Sequence, residues 1–177
     1  SLMAVGLPLV IVQPGVVYGP GDPSAIGDTL RLYLQGKLPL VPQQTAFAWG
    51  YVDDIVQGHL LALDQGKVGE DYIIAGPIYT LIDALKIAQE ITGIPAPKMT
   101  VSPSMMKAMA ALTGLIEPLV HLPDAYTSEG LRVSAGVTYI GSNAKARREL
   151  GYSPRRLEDG FKMTLPYEME KLGIKAN

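Results

Sequence analysis

The chain has 177 residues, 47% of them hydrophobic, and a formal net charge of −2 at pH 7. A chain of this length can bury the core of one globular domain. The slightly acidic balance gives no electrostatic basis for binding nucleic acid or an anionic membrane, so we expect a small-molecule ligand. The sequence has no cysteine, which excludes disulfides, thiol nucleophiles and cysteine metal sites and fits a reducing compartment.

The first apolar run extends from Leu7 to Val12, is rich in β-branched residues, and is followed by Pro14 and Gly15. This pattern predicts a central strand that is buried on both faces of a parallel sheet. The next segment, residues 16–23, contains several glycines and prolines and predicts a loop that leaves the carboxyl end of the strand. Open α/β sheets bind their ligands at this end.

Apolar periodicity and capping residues predict helices in six segments farther along the chain. These run from Ser24 to Gln35, from Val52 to Leu63, from Thr80 to Thr92, from Ser102 onward, from Ala144 to Leu150 and from Leu157 to Leu172. Pro166 should kink or split the last helix. A short strand from Tyr72 to Ala75 separates two of the helices, and this alternation predicts the α/β class.

The most apolar stretch runs from Met105 to Leu122. Charged residues, glycine and proline interrupt it within the roughly 20 residues that a bilayer span requires. We therefore expect a helix that covers a core or a ligand, and no membrane partner. The chain does not open with a basic and then apolar leader, so we expect a cytoplasmic protein.

Three short motifs resemble those of extended short-chain dehydrogenases/reductases. The segment from Leu9 to Asp22, LVIVQPGVVYGPGD, resembles the family's sixth strand and the loop after it. The segment WGYVDDI, which begins at Trp49, is similar to an aromatic-Val-Asp-Asp motif at a helix start. The segment from Tyr139 to Pro154 resembles the C-terminal signature, with its Leu-Gly-aromatic-x-Pro turn. The chain is thus similar to the NAD-dependent epimerase/dehydratase branch, dihydroflavonol reductase-like, and the resemblance implies its C-terminal half only.

The resemblance implies a fold and a cofactor. We expect the C-terminal part of a Rossmann-like parallel sheet together with a smaller, mainly helical substrate-binding domain. Residues 1–79 would hold the last strands and helices of the Rossmann-like domain with an inserted substrate-side helix, and residues 80–177 the mostly helical substrate-binding region. The complete enzyme would use NAD or NADP and act on a small-molecule substrate.

Two parts of the family's chemistry are missing from the sequence. No G-x-x-G-x-x-G occurs, the turn that brings backbone amides to the dinucleotide pyrophosphate. Tyr167 and Lys171 match the family's Tyr-x-x-x-Lys but follow the sheet-forming segments, so we interpret them as an ordinary i, i+4 contact. We therefore predict no catalytic residue here, and no activity or dinucleotide binding by this chain alone.

Six residues are candidate binding residues by resemblance. The backbone of Pro14, Gly15, Val16 and Val17 would face the nicotinamide, and Tyr18 and Tyr51 would contact the substrate. The alternative for the first four is a tight turn, and the alternative for Tyr18 is packing on the loop. Phe47 and Gln13 stand where many relatives carry arginine, which weakens a nucleotide-sugar substrate and favours a less polar one.

The remaining polar residues give no catalytic or metal site. Asp53 and Asp54 could form an acid/base pair or bind a metal, but neighbours on a helix diverge by about 100°, so we expect helix-start stabilisation. His59 and His121 have no partners at metal-ligand spacing. The basic residues between Lys145 and Arg156 are expected to form a solvated helix face and not a nucleic-acid surface.

Three functions remain open on the sequence alone. The first is the substrate-side half of an NAD(P)-dependent reductase, epimerase or dehydratase acting on a small carbonyl or hydroxyl compound. The second is a non-catalytic small-molecule binding module, and the third is a protein-interaction module. The strand from Leu7 to Val12 would have one open edge, so we expect either a missing N-terminal half or self-association through that strand.

Overall fold

The computed structural model of the chain describes residues 8–38, 40–116 and 138–175. The strands in these ranges are β1 (Ile11–Pro14), β2 (Val16–Tyr18), β3 (Val41–Pro42), β4 (Ala46–Tyr51), β5 (Asp71–Ile74), β6 (Ile78–Thr80), β7 (Thr100–Val101) and β8 (Thr138–Tyr139). The helices are α1 (Ala25–Leu34), α2 (Val52–Gln65), α3 (Leu81–Thr92), α4 (Pro103–Ile116), α5 (Ala144–Leu150) and α6 (Leu157–Lys171).

Most strand pairings are parallel. β1 pairs with β5, β2 with β4, β4 with β8, and β3 with β7, all in parallel, whereas β4 and β6 are antiparallel. Strands alternate with helices along the described ranges, so the predicted α/β class is confirmed. The described strands form three sheets, one of β1 and β5, one of β2, β4, β6 and β8, and one of β3 and β7. The assignment of these sheets to the last part of a Rossmann-like domain, and the division at residue 79, stay predictions.

The first strand differs from its prediction in position and burial. β1 includes Pro14, and residues 16–18, predicted as loop, form the second strand, β2. Gly15 lies between the two strands, and no larger residue fits there, because a Cβ would lie 2.5 Å from the carbonyl oxygen of Ala48 and 2.8 Å from the Cβ of Ala75. Ile11 is 46% exposed, so the prediction of burial on both faces is wrong. The physical reason is that β1 pairs only with β5 among the described strands.

Local capping places the helices where the sequence predicts them. The Thr80 hydroxyl accepts a hydrogen bond of 3.1 Å from the Asp83 amide and donates one of 2.7 Å to the Asp83 carboxylate. Gly93 ends the same helix, α3, in the left-handed conformation. Ser24 likewise caps α1 by accepting the Ile26 amide at 3.2 Å. These helix starts are therefore confirmed.

The last helix is not split by its proline. α6 continues from Leu157 to Lys171 with Pro166 inside it. The apolar side chains of Leu157, Phe161 and Leu165 are fully buried, and Pro166 is exposed. Packing of this apolar side on the core stabilises the helix in spite of the amide that proline lacks.

Two clusters of buried side chains form the larger part of the described core. The first joins α1, α3 and α6 to the aromatic rings of Tyr18 and Trp49. The second joins α2, β5 and α5 and includes Ile55, Tyr72 and Leu150. β2 leads from this core to the loop that begins at Gly19, and β4 leads to the start of α2 at Val52, so the two strands position the candidate site.

No helix in the described ranges combines the length and the apolar character needed to cross a membrane. α4, Pro103–Ile116, contains the first part of the most apolar stretch, from Met105 to Ile116. The rest of that stretch, to Leu122, lies outside the described residues.

Candidate functional site

A pocket of about 230 Å³ opens at the carboxyl ends of the parallel strands β2 and β4. Its walls are residues 17–23 and Val52, the first residue of α2. Ligands of α/β folds bind at this position relative to the strands. The volume is below the roughly 300–1,000 Å³ of pockets that enclose a whole drug-sized ligand, so the pocket fits part of one.

The lining of the pocket is mainly apolar and contains no cationic side chain. Val17, Pro20, Pro23 and Val52 supply apolar surface. The one charged lining residue, Asp22, accepts hydrogen bonds of 2.8 Å from the amide and from the hydroxyl of Ser24. The lining therefore offers no arginine or lysine to bind a phosphate group.

Tyr18 lines the pocket and also belongs to the core. Its ring makes edge-to-face contacts with Trp49, Tyr51 and Phe161 at centroid distances of 5.4 to 5.8 Å. Burial raises the pKa of the Tyr18 hydroxyl above its ordinary value. A Cβ at Gly160 would lie 2.0 Å from this hydroxyl. Both interpretations of Tyr18 thus have support in the packing, and its contact with a substrate stays a prediction.

Tyr51 lies at the junction of β4 and α2 and is buried. The guanidinium of Arg155 covers its ring at 4.0 Å from the centroid. Burial raises the pKa of Tyr51 as well. Because Tyr51 is beside the pocket lining and not part of it, its predicted contact with a substrate would require a ligand larger than the pocket.

The four residues predicted to face the nicotinamide lie on β1, on β2 and between them. Gly15 donates its amide to the Ile74 carbonyl at 2.9 Å, and Val16 pairs with Trp49 on β4. Val17 lines the pocket, whereas Pro14 is exposed. The cofactor-facing role of the four residues stays a prediction.

Asp53 and Asp54 lie in the first turn of α2, as expected, but they differ in their contacts. The Asp54 carboxylate forms an ion pair with the guanidinium of Arg155, in which Nη2 lies 2.9 Å from Oδ1. It also accepts a hydrogen bond of 2.9 Å from the Arg155 backbone amide. Among the described residues no group of acidic or histidine side chains could hold a metal ion. Asp54 is therefore an ion-pair partner, a role that the sequence analysis missed.

The other polar candidates are structural. Lys171 Nζ lies 5.6 Å from the centroid of the Tyr167 ring, which confirms the i, i+4 contact. His59 is exposed and bonds the Ile55 carbonyl of its own helix, while His121 lies outside the described residues. Four residues of the basic segment bind acidic side chains, namely Lys145, Arg148, Arg155 and Arg156.

The comparisons with known proteins agree on one family. The family model described as "NAD dependent epimerase/dehydratase family" matches residues 3–75. The chain is 31% identical over 162 residues to "Sterol demethylase protein B" of Methylococcus capsulatus, covering 88% of this chain and 48% of that protein. The solved structure of a nucleoside-diphosphate-sugar epimerase from Pseudomonas aeruginosa superposes with a TM-score of 0.76 at 26% identity, covering 97% of this chain and 51% of that one. The chain is thus similar to members of the NAD-dependent epimerase/dehydratase family.

A second curated relative within the family is the "Putative dihydroflavonol 4-reductase" of Synechocystis, 32% identical over 153 residues, which are 82% of this chain and 44% of that protein. The chain spans about half the length of the curated relatives it matches. The fold is that of the Rossmann-like epimerases.

The prediction that this chain of the epimerase/dehydratase family is a C-terminal half only is contradicted. The family model matches from residue 3, and matches to solved structures cover 92–97% of the chain starting at the N-terminal Rossmann part. The matched residues 3–75 contain the parallel strands β1, β2, β4 and β5. The prediction rested on short motifs and on a missing glycine-rich turn, which do not determine the part of a family member that a chain represents.

Proposed function

We propose that the chain forms the substrate-side wall of an NAD(P)-dependent reductase, epimerase or dehydratase that acts on a small, largely apolar carbonyl or hydroxyl compound. The observation that carries this proposal is the pocket at the carboxyl ends of β2 and β4, with its apolar lining and no cation. A nucleotide-sugar needs cationic or amide donors for its diphosphate, whereas a flat apolar ring needs apolar surface.

Two further observations support an apolar substrate. Phe47, at the position where the family resemblance implies an arginine, packs edge-to-face against Trp49 at 5.7 Å. The names of two curated relatives refer to a sterol and to a dihydroflavonol, and neither name refers to a nucleotide-sugar. The epimerase among the solved structures supports the family and the fold, but its nucleotide-sugar does not match this lining.

The cofactor of the family fits these residues only in part. The backbone from Pro14 to Val17 fits the nicotinamide side, where a ring needs close approach and no charge. The pyrophosphate does not fit, because the chain has no G-x-x-G-x-x-G and the pocket has no cation. We therefore propose that the chain alone neither binds the dinucleotide nor turns over substrate.

Chemical-shift mapping of the isotope-labelled chain tests the substrate class. Cyclohexanone should shift the amides of Val17, Gly19 and Gly21 saturably, and UDP-glucose should leave them unchanged. Val52→Glu should abolish the cyclohexanone shifts because it places a charge in the pocket wall. Val56→Glu, one turn farther along α2 and outside the lining, is the matched control and should retain them. Saturable shifts with UDP-glucose alone would contradict the proposal.

A protein-interaction module is the second candidate, because α2 exposes apolar side chains. Val56, Leu60 and Leu63 are all exposed, Leu63 to 80%. Exposed apolar patches indicate interaction surfaces when they are contiguous. If neither cyclohexanone nor UDP-glucose shifts the pocket amides, this function becomes the better supported one.

A further inference from the structure

The loop that forms the pocket wall is held by a side chain from the far end of the chain. Gly21 donates its backbone amide to Glu168 Oε1 at 2.7 Å, across 147 positions of sequence. Gly21 has a φ of +73°, a conformation that glycine adopts at little cost. Glu168 lies on α6 and is 4% exposed, so its carboxylate is almost completely removed from water.

Arg31, from α1, holds the neighbouring residue of the same loop. Its Nη1 donates to the Asp22 carbonyl at 2.8 Å and lies 3.5 Å from Glu168 Oε2. Its Nη2 donates to Asp28 at 2.8 Å. Two helices, α1 and α6, thus bind consecutive residues of the pocket loop through one charged pair.

A buried carboxylate is costly unless it is paired and hydrogen-bonded. Glu168 has two partners, the Gly21 amide and the Arg31 guanidinium. If the pair only joined α6 to α1, a bond to the loop amide would not be needed. Its direct bond to the pocket wall indicates a second role.

We propose that Glu168 is a positioning residue, which fixes the conformation of the loop at residues 19–23 and thereby sets the ligand affinity of the pocket without touching the ligand. Arg31 orients the Glu168 carboxylate and the Asp22 carbonyl. The effect on ligand affinity rests on the proposed function, whereas the effect on the loop does not.

Amide hydrogen exchange of the isotope-labelled chain tests the effect on the loop. In Glu168→Ala the Gly21 amide should exchange about tenfold faster, as expected for loss of a hydrogen bond to a charged acceptor. The Gly15 amide, which donates to Ile74, is the internal reference and should keep its rate. Glu170→Ala, an exposed neighbour on the same helix, is the matched control. Equal acceleration at Gly15 and Gly21, or none at Gly21, would overturn the proposal.

Glu168→Gln covers the case in which the alanine variant does not fold. Glutamine keeps the shape and a neutral acceptor, so the Gly21 amide should exchange about threefold faster, with the Gly15 rate unchanged. Cyclohexanone affinity gives the second measurement and should fall about fivefold in Glu168→Ala but not in Glu170→Ala. If the unchanged chain does not bind cyclohexanone, the proposed function fails, and the exchange rates still decide the role of Glu168. Unchanged cyclohexanone affinity in Glu168→Ala would contradict the effect on the pocket.

Discussion

Asp54 and Arg155 lie 101 positions apart in sequence and are joined by one backbone and several side-chain hydrogen bonds. The guanidinium that binds Asp54 also covers the ring of Tyr51. The pair therefore attaches the segment between α5 and α6 to the start of α2, beside the pocket.

Removing the charge of Asp54 should destabilise the fold more than removing the charge of its neighbour Asp53. Asp54→Asn should lower the free energy of unfolding by about 2 kcal/mol, because a charged acceptor is lost from a largely buried pair. Asp53 is exposed, so Asp53→Asn should cost less than about 1 kcal/mol, the contribution of a charge at a helix start. Urea unfolding followed by the fluorescence of Trp49 measures both. Equal effects of the two variants would contradict this role of Asp54.

The sequence predicts structure that depends on neighbouring residues, but it does not predict contacts between residues that are far apart in the chain. Both ends of α3 are set by local contacts. Thr80 accepts a hydrogen bond from the Asp83 amide, and Gly93 donates to the Gln89 carbonyl. Because each contact spans no more than four residues, the residue types alone predict this helix. The pairing of β2 with β4 and the bond between Asp54 and Arg155 have no such local signal. Arg155 was expected on a solvated face, because its partner Asp54 lies on a distant element.

The sequence predicted where the candidate site lies, but it did not predict the contacts that hold the pocket loop. The strand end near Pro14 and the glycine-rich loop indicated where ligands bind in α/β folds. No sequence motif links Glu168 to Gly21. The two residues come into contact only because α6 packs beside the pocket loop. Pro166 does not split α6, because the burial of the neighbouring side chains outweighs the missing amide.

Alkaline pH should unfold the chain through its buried tyrosines. Burial raises the pKa of Tyr18, Tyr33, Tyr51 and Tyr152 above the ordinary value. Their contribution to stability is complete below the unfolded-state pKa of about 10 and is lost as pH rises toward the folded-state values.

A pH jump followed by tyrosinate absorbance tests this order of events. The chain has nine tyrosines, and the four whose pKa is raised by burial should ionise only as fast as the protein unfolds. Immediate ionisation of all tyrosines, with Trp49 fluorescence unchanged, would show that burial does not control them.

The open edge of β1 should promote self-association. Ile11 and Gly15 donate their amides to the β5 side, so the alternate residue Val12 directs its amide and carbonyl to the other edge. No strand of the described ranges pairs there. Pro14 has no amide hydrogen to donate, which shortens the edge and makes weak association the expected outcome.

Sedimentation velocity over a dilution series tests the open edge. Ile11→Lys should shift the chain toward monomer because a charge at an edge strand opposes pairing. Leu112→Lys removes an exposed apolar side chain on α4 and should have no effect. A monomer at every concentration, in the unchanged chain, would mean that the edge is covered.

The central claim is that this chain forms the substrate-side wall and lacks the residues that bind the dinucleotide pyrophosphate. Titration with NADH and NADPH tests this claim most directly. Trp49 is the only tryptophan and pairs with Val16, at the position predicted to face the nicotinamide. Energy transfer from Trp49 to the reduced nicotinamide would therefore report binding. We expect no saturable transfer with either dinucleotide, because the sequence has no G-x-x-G-x-x-G and the lining of the pocket has no cationic side chain to bind the pyrophosphate. Saturable transfer with micromolar affinity would contradict it.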